Sequence, residues 1–138
     1  MRGDRAELAD IYLTVRRATF VWVDPGRFRR EDFSVHTRGE RVFVCEDGAG
    51  GLAGFLALWT PDNFIHMLYV RPSLQGRGVG STLLSALPEW PKRRYRLKCL
   101  VENTRALAFY RAHGFEIVGS GLSPEGDYHD LRLAGRRV

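Results

Sequence analysis

The amino-acid sequence predicts a single mixed α/β domain over residues 1–138, with about six strands in a central sheet and about four helices. Length and composition support one domain, because 138 residues with 44% hydrophobic content can bury a sizeable core. Segments with strand-like and helix-like spacing follow one another along the chain. The clearest of them, residues 63–87, consists of a strand, a glycine-rich turn and a helix.

The N-terminal element is predicted to be an amphipathic helix from Asp4 to about Trp22. Its apolar residues recur at intervals of three and four, and Asp4 stands in the N-cap position. Residues 24–26, with the sequence Asp-Pro-Gly, are expected to end this helix. A second, short helix is expected at about residues 27–33.

Three strands are predicted next, at about residues 41–46, 51–59 and 63–70. Residues 47–50, Asp-Gly-Ala-Gly, are typical of a hairpin turn, so the three strands are expected to form an antiparallel meander. The third of these strands should lie in the middle of the full sheet. If it is regular, the even-numbered residues from Phe64 to Val70 face one side of the sheet and the odd-numbered residues face the other.

The glycine-rich turn from Gln75 to Ser81, with the sequence QGRGVGS, places three glycines at alternate positions where a helix begins. The first N–H groups of a helix have no partner within the helix, so they can point together at an anion. The helix dipole and the side chain of Arg77 add positive charge at the same place. The turn therefore predicts a diphosphate site, followed by a helix at about residues 78–87.

Spacing excludes the two best-known nucleotide motifs at this turn. A Rossmann fingerprint requires Gly or Ala at positions where this chain has Ser81 or Leu83. A P-loop requires a lysine after its glycines, and no lysine lies between Gly76 and Lys92.

The C-terminal part of the chain is predicted to contain a strand, a helix and two further strands. Residues 94–101 alternate as in a strand. Asn103 is a good N-cap for the helix, and Gly114 supplies its C-terminal stop. The last two strands are expected at about residues 116–121 and 127–133.

Two blocks of this sequence resemble the signatures of the GNAT superfamily of N-acetyltransferases. Residues 68–80, LYVRPSLQGRGVG, follow the pattern of a strand ending in Leu-x-Val-x-Pro and a loop of Gln/Arg-x-x-Gly-x-Gly/Ala. Residues 103–115, NTRALAFYRAHGF, match Asn-x-x-Ala-x-x-Phe-Tyr-x-x-x-Gly-Phe at every defined position. The resemblance implies the GNAT fold, with a mostly antiparallel sheet. It also implies transfer of an acetyl group from acetyl-CoA to a primary amine of a small molecule, a protein N-terminus or a lysine.

The resemblance also assigns the residues that bind acetyl-CoA. Backbone N–H groups of the glycine-rich turn would hold the diphosphate, and the exposed backbone at the end of the preceding strand would pair with the pantetheine arm. Asn103 would contact that arm from the other side. The predicted cofactor-binding residues are Leu68, Tyr69, Val70, Gln75, Gly76, Arg77, Gly78, Val79, Gly80, Ser81, Asn103 and Phe109.

Two residues are predicted to move protons. Tyr110, which the second signature marks, is the predicted general acid for the departing thiolate, because a phenol with a pKa of about 10 is protonated at neutral pH. His66 is the predicted general base, since its free pKa of about 6.5 suits proton uptake near pH 7. A water chain ending on Glu102 or Asp62 is an alternative base, and so is an amine that arrives already neutral.

The resemblance places the acceptor pocket beside the first helix pair, so Trp22 and Phe28 are predicted to form its wall. GNAT domains usually open with a strand before the first helix, and here only residues 1–3 precede the predicted helix. The first edge strand is therefore expected to be absent or truncated. Pairing of the open sheet edge with a second subunit would give a homodimer.

Composition limits the other functions. The net charge of +5 comes from scattered arginine pairs without an interleaved aromatic stripe or a DNA-binding motif, so no nucleic-acid partner is expected. No apolar run is long enough for a membrane span or a secretory signal, which predicts a cytoplasmic protein. Two isolated cysteines, Cys45 and Cys99, predict neither a metal site nor a disulfide framework.

The alternative function is a non-catalytic module that senses CoA or another anion on the same fold.

Overall fold

The computed structural model describes residues 2–19, 21 and 24–133, and for residues 2–4 it describes the backbone alone. The described residues form four α-helices and one six-stranded sheet, as the sequence predicts. The helices are α1 (Arg2–Thr19), α2 (Asp32–His36), α3 (Val79–Ser85) and α4 (Thr104–Ala112). The strands are β1 (Arg41–Glu46), β2 (Leu52–Trp59), β3 (Phe64–Val70), β4 (Arg96–Leu100), β5 (Phe115–Gly121) and β6 (Tyr128–Leu133).

The strands are arranged in the order β1-β2-β3-β4-β6-β5. All neighbours are antiparallel except β3 and β4, which are parallel. The meander of β1, β2 and β3 confirms the hairpin prediction. Strands β3 and β4 lie in the middle of the sheet and are connected through a helix. Because they are parallel, their carboxyl ends lie at the same end of the sheet.

Each face of the sheet carries its own hydrophobic core. Helices α1 and α2 cover one face, where Ile11, Val15 and Phe33 pack against Phe55 and neighbouring side chains of the sheet. Helices α3 and α4 pack on the other face through buried side chains that include Leu83, Leu84 and Tyr110. The alternation along β2 explains this division, because its residues contribute in turn to one core and then to the other.

Strand β3 is not regular, so the side-chain directions expected for a regular strand do not hold along its whole length. Ala57 of β2 pairs with Met67, whereas the next residue, Leu58, pairs with Ile65, so β3 has one extra residue at His66. This β-bulge reverses the alternation of side chains. Ile65 packs in the core under α3 and α4, while Met67 packs in the core under α1 and α2.

Two predictions for the N-terminal helices are also wrong. Helix α1 begins at Arg2, so Asp4 lies within its first turn and is not its N-cap. The second helix is α2 at Asp32–His36, not residues 27–33. The carboxylate of Asp32 accepts hydrogen bonds from the Arg29 N–H at 2.9 Å and from Arg16 at 3.0 Å, which fixes the turn that precedes this helix.

In the described part of the chain no strand precedes α1, so β1 forms one edge of the sheet. The pairing of this edge with a second subunit remains a prediction. None of the helices in the described residues is long and apolar enough to cross a membrane.

Candidate functional site

A gap opens between the two parallel strands in the middle of the sheet. Strands β3 and β4 are paired at only two positions, Phe64 with Arg96 and Ile65 with Leu97. Beyond these pairs β3 stays bonded to β2 and β4 stays bonded to β6, so the two strands diverge toward their carboxyl ends. The bulge at His66 lies where they separate, and bulges bend a strand and increase its twist. The last residues of β3, including the predicted Leu68, Tyr69 and Val70, therefore have a backbone edge that no strand of the described residues covers.

The glycine-rich turn lies directly after β3, at the open end of this gap. Gly76 and Gly78 have φ values of +79° and +83°, which favour glycine, and a Cβ at either would meet no atom within 4 Å. The backbone of the turn is therefore bare and faces open space. The first backbone hydrogen bond of α3 runs from the Thr82 N–H to the Gly78 carbonyl, so the N–H groups of residues 79–81 are not used in the helix.

Close packing positions the start of α3 against α4. A Cβ on Gly80 would lie 2.9 Å from the Phe109 ring, so only glycine lets the two helices approach this closely. The next residue, Ser81, lies 2.8 Å from His113 Nε2, and His113 Nδ1 lies 2.9 Å from the Phe109 carbonyl oxygen. Because a carbonyl oxygen only accepts, Nδ1 carries a proton, and in a neutral ring Nε2 accepts the hydrogen bond from Ser81.

Two amide side chains fix the loops on either side of the gap. The amide of Gln75 donates to the Val70 carbonyl at 3.1 Å and so ties the turn to the end of β3. Asn103 caps α4 as the sequence predicts, since its side-chain oxygen accepts from the Ala106 N–H at 3.3 Å. Arg77 is exposed at the rim of the turn. The predicted cofactor-binding residues thus belong to the end of β3, the glycine-rich turn and the start of α3, and α4 with its N-cap.

Tyr110 reaches this gap from the α3 and α4 side of the sheet. Its side chain is buried, and burial, together with the nearby Cys99 and Tyr69, raises the pKa of the Tyr110 hydroxyl well above the ordinary value. No hydrogen bond involves this hydroxyl within the described residues, yet no buried polar side-chain atom there lacks a partner. The hydroxyl oxygen must therefore be accessible to solvent. Tyr110 remains protonated at neutral pH and presents its proton at an accessible position.

A cavity of about 310 Å³ lies on the opposite face of the sheet, between α1, α2 and the diverging strands. Its aromatic and imidazole side chains are Tyr12, Phe28, His36, His66 and Tyr69. The others are Arg16, Lys98, Leu100 and Glu125. Phe28 thus lies in a cavity wall, where the sequence predicts the acceptor pocket, and Trp22 lies outside the described residues. Tyr69 lies in the cavity wall and also close to Tyr110, because its electrostatic interaction contributes to the raised pKa of Tyr110.

His66 projects from the bulge and is held by a carboxylate from another part of the chain. Its Nδ1 lies 2.8 and 3.0 Å from the two carboxylate oxygens of Glu40, which is almost fully buried at 7% side-chain exposure. A carboxylate accepts, so Nδ1 carries the proton and Nε2 is left as the basic nitrogen of the neutral ring. Sequence reasoning missed Glu40, because 26 residues separate it from His66 and no local pattern connects them.

Further polar contacts order the rest of this cavity. The Tyr12 hydroxyl lies 2.6 Å from His36 Nδ1. Desolvation lowers the pKa of His36, and the nearby positive charges of Arg16 and His66 lower it further. The carboxylates of Asp32 and Glu125 oppose this effect without cancelling it. Burial raises the pKa of Tyr69 to about 12. Both tyrosines therefore remain protonated at neutral pH, since burial also raises the pKa of Tyr12.

Neither cysteine lines the cavity of about 310 Å³. Cys99 is buried, and burial raises the pKa of its thiol to about 11, so the reactive thiolate is scarce at neutral pH. Within the described residues no group of three or more histidines, cysteines or acidic residues is arranged to hold a metal. A second cavity of about 400 Å³, beside Trp90, Arg111 and Gly114, contains no residue of the predicted site.

Residues 38–117 match the family model described as an acetyltransferase (GNAT) domain. This match spans more than half of the chain, and it includes the gap, the glycine-rich turn and Tyr110. The chain belongs to the GNAT acetyltransferase family. The sequence resemblance and the predicted fold are thereby confirmed, whereas the roles of the individual site residues remain predictions.

Curated GNAT relatives match parts of the chain. The chain is 33% identical over 102 residues to the N-alpha-acetyltransferase RimI of Mycobacterium tuberculosis, which covers 69% of this chain and 62% of RimI. It is 41% identical over 87 residues to an uncharacterised N-acetyltransferase of Methanocaldococcus jannaschii, covering 54% of this chain and 38% of that protein. The chain thus spans less than two thirds of the length of either relative.

Solved structures confirm the GNAT fold. The PaiA N-acetyltransferase of Thermoplasma acidophilum, solved in complex with coenzyme A, has a TM-score of 0.73 at 17% identity, over 95% of this chain and 92% of that chain. A structure from Corynebacterium glutamicum described as histone acetyltransferase HPA2 and related acetyltransferase has a TM-score of 0.76 at 17% identity, over 100% and 94% of the two chains. At these identities the likeness shows the fold alone.

Proposed function

We propose that this GNAT protein transfers an acetyl group from acetyl-CoA to a primary amine of a small molecule or a protein by direct attack. The observation that carries the proposal is the gap between β3 and β4. It has a bare glycine-rich turn at its open end, the accessible hydroxyl of Tyr110 on one side and a cavity on the other. The amine acceptor also agrees with the name of the relative RimI, an N-alpha-acetyltransferase.

The residues around the gap fit acetyl-CoA. The open space over Gly76 and Gly78 leaves room for a diphosphate, and the unused N–H groups of residues 79–81 are donors suited to it. Arg77 supplies an exposed positive charge at the rim. The uncovered backbone edge at the end of β3 offers donors and acceptors to the amide groups of a pantetheine arm. When bound, acetyl-CoA supplies the acetyl group as a reactive thioester.

The protein's own groups account for the protons of the reaction. Acetyl transfer forms a C–N bond to the amine and breaks the C–S bond. His66 Nε2 takes the proton that the amine must lose, while Glu40 holds the imidazole and compensates the positive charge it acquires. Tyr110 gives its hydroxyl proton to the departing sulfur.

Glu40 favours His66 over the alternative bases. Glu102 and Asp62, the predicted ends of a water chain, are both exposed and neither lines the cavity. His66 lines the cavity and has a carboxylate partner that orients it. The cysteines offer no covalent route, since neither lines the cavity and the thiol of Cys99 is held protonated. Direct attack of the amine on the thioester in a ternary complex therefore needs only His66 as base and Tyr110 as acid, with no covalent intermediate on the protein.

An acetylation screen tests this function. Purified protein is incubated with acetyl-CoA and a panel of amines that includes amino acids, polyamines, aminoglycosides, peptides with free N-termini and peptides with internal lysines. Free CoA and the acetylated amine are measured together, so that hydrolysis is separated from transfer. Stoichiometric formation of both products supports the proposal. A protein that binds acetyl-CoA but acetylates no amine of the panel contradicts it and favours the CoA-sensing alternative.

A further inference from the structure

Arg16 is a buried charged residue, with 8% exposure, and it lines the cavity proposed for the acceptor. Its guanidinium carbon lies 4.5 Å from the ring centre of Tyr12 and 4.3 Å from that of Phe28. Stacking on two aromatic rings fixes the plane of the group. Arg16 is therefore held rigidly in a wall of the cavity.

The fold uses only part of the hydrogen-bonding capacity of Arg16. Its Nη1 donates to Asp32 at 3.0 Å, and no described residue accepts a hydrogen bond from Nε or Nη2. No buried polar side-chain atom in the described residues lacks a partner, so these two nitrogens must reach solvent. Since the side chain lines the cavity, their N–H groups are available to a molecule within it. A guanidinium presenting free donors in a fixed plane suits a carboxylate.

The charge balance of the cavity points the same way. Lys98 lies on β4 next to the position where β3 and β4 separate, and its ammonium is 4.7 Å from the ring centre of Tyr128. No ion pair of Lys98 exists within the described residues. Asp32 neutralises Arg16 in part. Burial raises the pKa of Asp32, but hydrogen bonds from Arg29 and Arg16 keep that pKa below the ordinary value, so Asp32 is charged. With Glu125, which also lines the cavity, the wall carries two cations and one carboxylate, and this mixture suits an acceptor with charges of both signs better than one with several positive charges.

We propose that the acceptor is a small amine that also carries a carboxylate, which Arg16 binds while the amine faces His66. This inference rests on the proposed acetyltransferase function and narrows its substrate class. The cavity volume of about 310 Å³ accommodates a molecule the size of an amino acid. Lys98 adds a second, exposed positive charge for the same carboxylate.

Matched substrates test the proposal on the whole chain. Each α-amino acid of a panel is paired with the amine that remains after removal of its carboxylate, such as phenylalanine with phenethylamine and methionine with 3-(methylthio)propylamine. Charged hydrogen bonds of this kind correspond to about ten-fold or more in affinity, so wild-type kcat/KM should favour the best amino acid over its partner by at least that factor. Arg16→Gln should reduce this preference to near unity, chiefly through KM for the amino acid.

Two further variants keep the result interpretable if Arg16→Gln folds poorly. Lys98→Gln removes an exposed charge from the cavity and should lower the same preference by a smaller factor. Arg30→Gln removes one positive charge from a side chain that is 58% exposed and does not line the cavity, so it should leave the preference unchanged.

The possible failures are distinguishable. Equal kcat/KM for amino acids and decarboxylated amines overturns the carboxylate proposal while the acetyltransferase stands. A preference that survives in both Arg16→Gln and Lys98→Gln overturns the assignment of these residues. Binding of acetyl-CoA without acetylation of any amine overturns the proposed function, and this inference with it.

Discussion

Tyr110 joins two properties that a general acid needs, a firmly held proton and an accessible oxygen. Replacing it with phenylalanine removes the hydroxyl and leaves the ring contacts to Phe109 and Phe115 possible. General acid catalysis contributes about 10²- to 10⁴-fold, so Tyr110→Phe should lower kcat by that range with little change in KM for acetyl-CoA. Steady-state kinetics checks this, and an unchanged kcat would exclude Tyr110 as the acid.

The pH dependence of the wild-type enzyme follows from the same burial. The active form of Tyr110 is protonated, and its pKa is raised, so the active form persists above the ordinary phenol pKa of about 10. Activity should therefore show no loss from this group between neutral pH and about pH 10. A profile of kcat against pH, bracketed by tests for irreversible inactivation, measures it. An alkaline decline centred below pH 9 that Tyr110→Phe abolishes would contradict the assignment.

Glu40 is predicted to be a positioning residue that acts through His66. Glu40→Gln removes the charge that compensates the imidazolium, and it should lower kcat by about 10- to 100-fold, less than the largest effects of a missing base. If the two act together, the double variant Glu40→Gln/His66→Gln should be no slower than His66→Gln alone. Glu116→Gln, an exposed carboxylate on β5, serves as the control. Multiplicative effects of the two single changes would show that Glu40 acts independently.

At the level of single residues, local sequence rules were sufficient to predict the two ends of α4 but not the long-range contacts of the site. Asn103 as N-cap and Gly114 as helix stop follow from local rules, and the structure confirms both, with φ +94° at Gly114. The partner of His66 does not follow from local rules, because Glu40 reaches it only through the tertiary fold. The same holds for Arg16, which the sequence presents as one ordinary arginine of a basic pair.

The pairing of α3 with α4 depends on Gly80. A Cβ at this position would lie 2.9 Å from the Phe109 ring, so Gly80→Ala should destabilise the protein by about 1–3 kcal/mol through overpacking. A loss of stability would be informative, because at an ordinary helix position alanine stabilises a protein by about 1 kcal/mol relative to glycine. Urea unfolding measures the change.

A second substitution tests the cause of that loss. Phe109→Leu shortens the opposing side chain, so it should cost less in the Gly80→Ala background than in the wild type. The coupling should amount to about 0.5–3 kcal/mol. Additive free energies of unfolding would show that the two side chains do not interfere.

Helices and strands were predictable in proportion to the strength of their local signals. The hairpin turn and the runs of apolar and aromatic residues predicted β1, β2 and β3 to within one residue, because such runs bounded by turn residues are a strong strand signal. The second helix was displaced, since its start depends on hydrogen bonds between Asp32 and both Arg16 and Arg29. The bulge at His66 has no local signal, because it reflects the register between β2 and β3.

The whole molecule places the two halves of the proposed reaction on opposite faces of one sheet. The proposed general acid, Tyr110, belongs to the face of α3 and α4, and the proposed acceptor cavity belongs to the face of α1 and α2. The gap between β3 and β4 lies between them. The sequence resemblance implied the fold around this gap, whereas the width of the opening follows from strand pairing that spacing alone does not encode.

The core under α3 and α4 should dominate the stability of this arrangement. Leu84 is fully buried, so Leu84→Ala should lower the free energy of unfolding by about 2–5 kcal/mol. Leu122 is 82% exposed, and Leu122→Ala should change it by less than about 0.5 kcal/mol. Chemical unfolding of both variants compares them. Equal changes in the free energy of unfolding would contradict the burial of Leu84 in this core.

The most direct test of the account is calorimetric titration of acetyl-CoA into the wild-type protein, Gly78→Glu and Gly48→Glu. Both glycines have positive φ, +83° and +84°, and open space around them, but Gly48 lies in the turn between β1 and β2. The two variants therefore carry the same backbone strain and the same added charge. The account predicts that wild type and Gly48→Glu bind acetyl-CoA and that Gly78→Glu does not. Absence of binding to the wild type, or undiminished binding to Gly78→Glu, would contradict it.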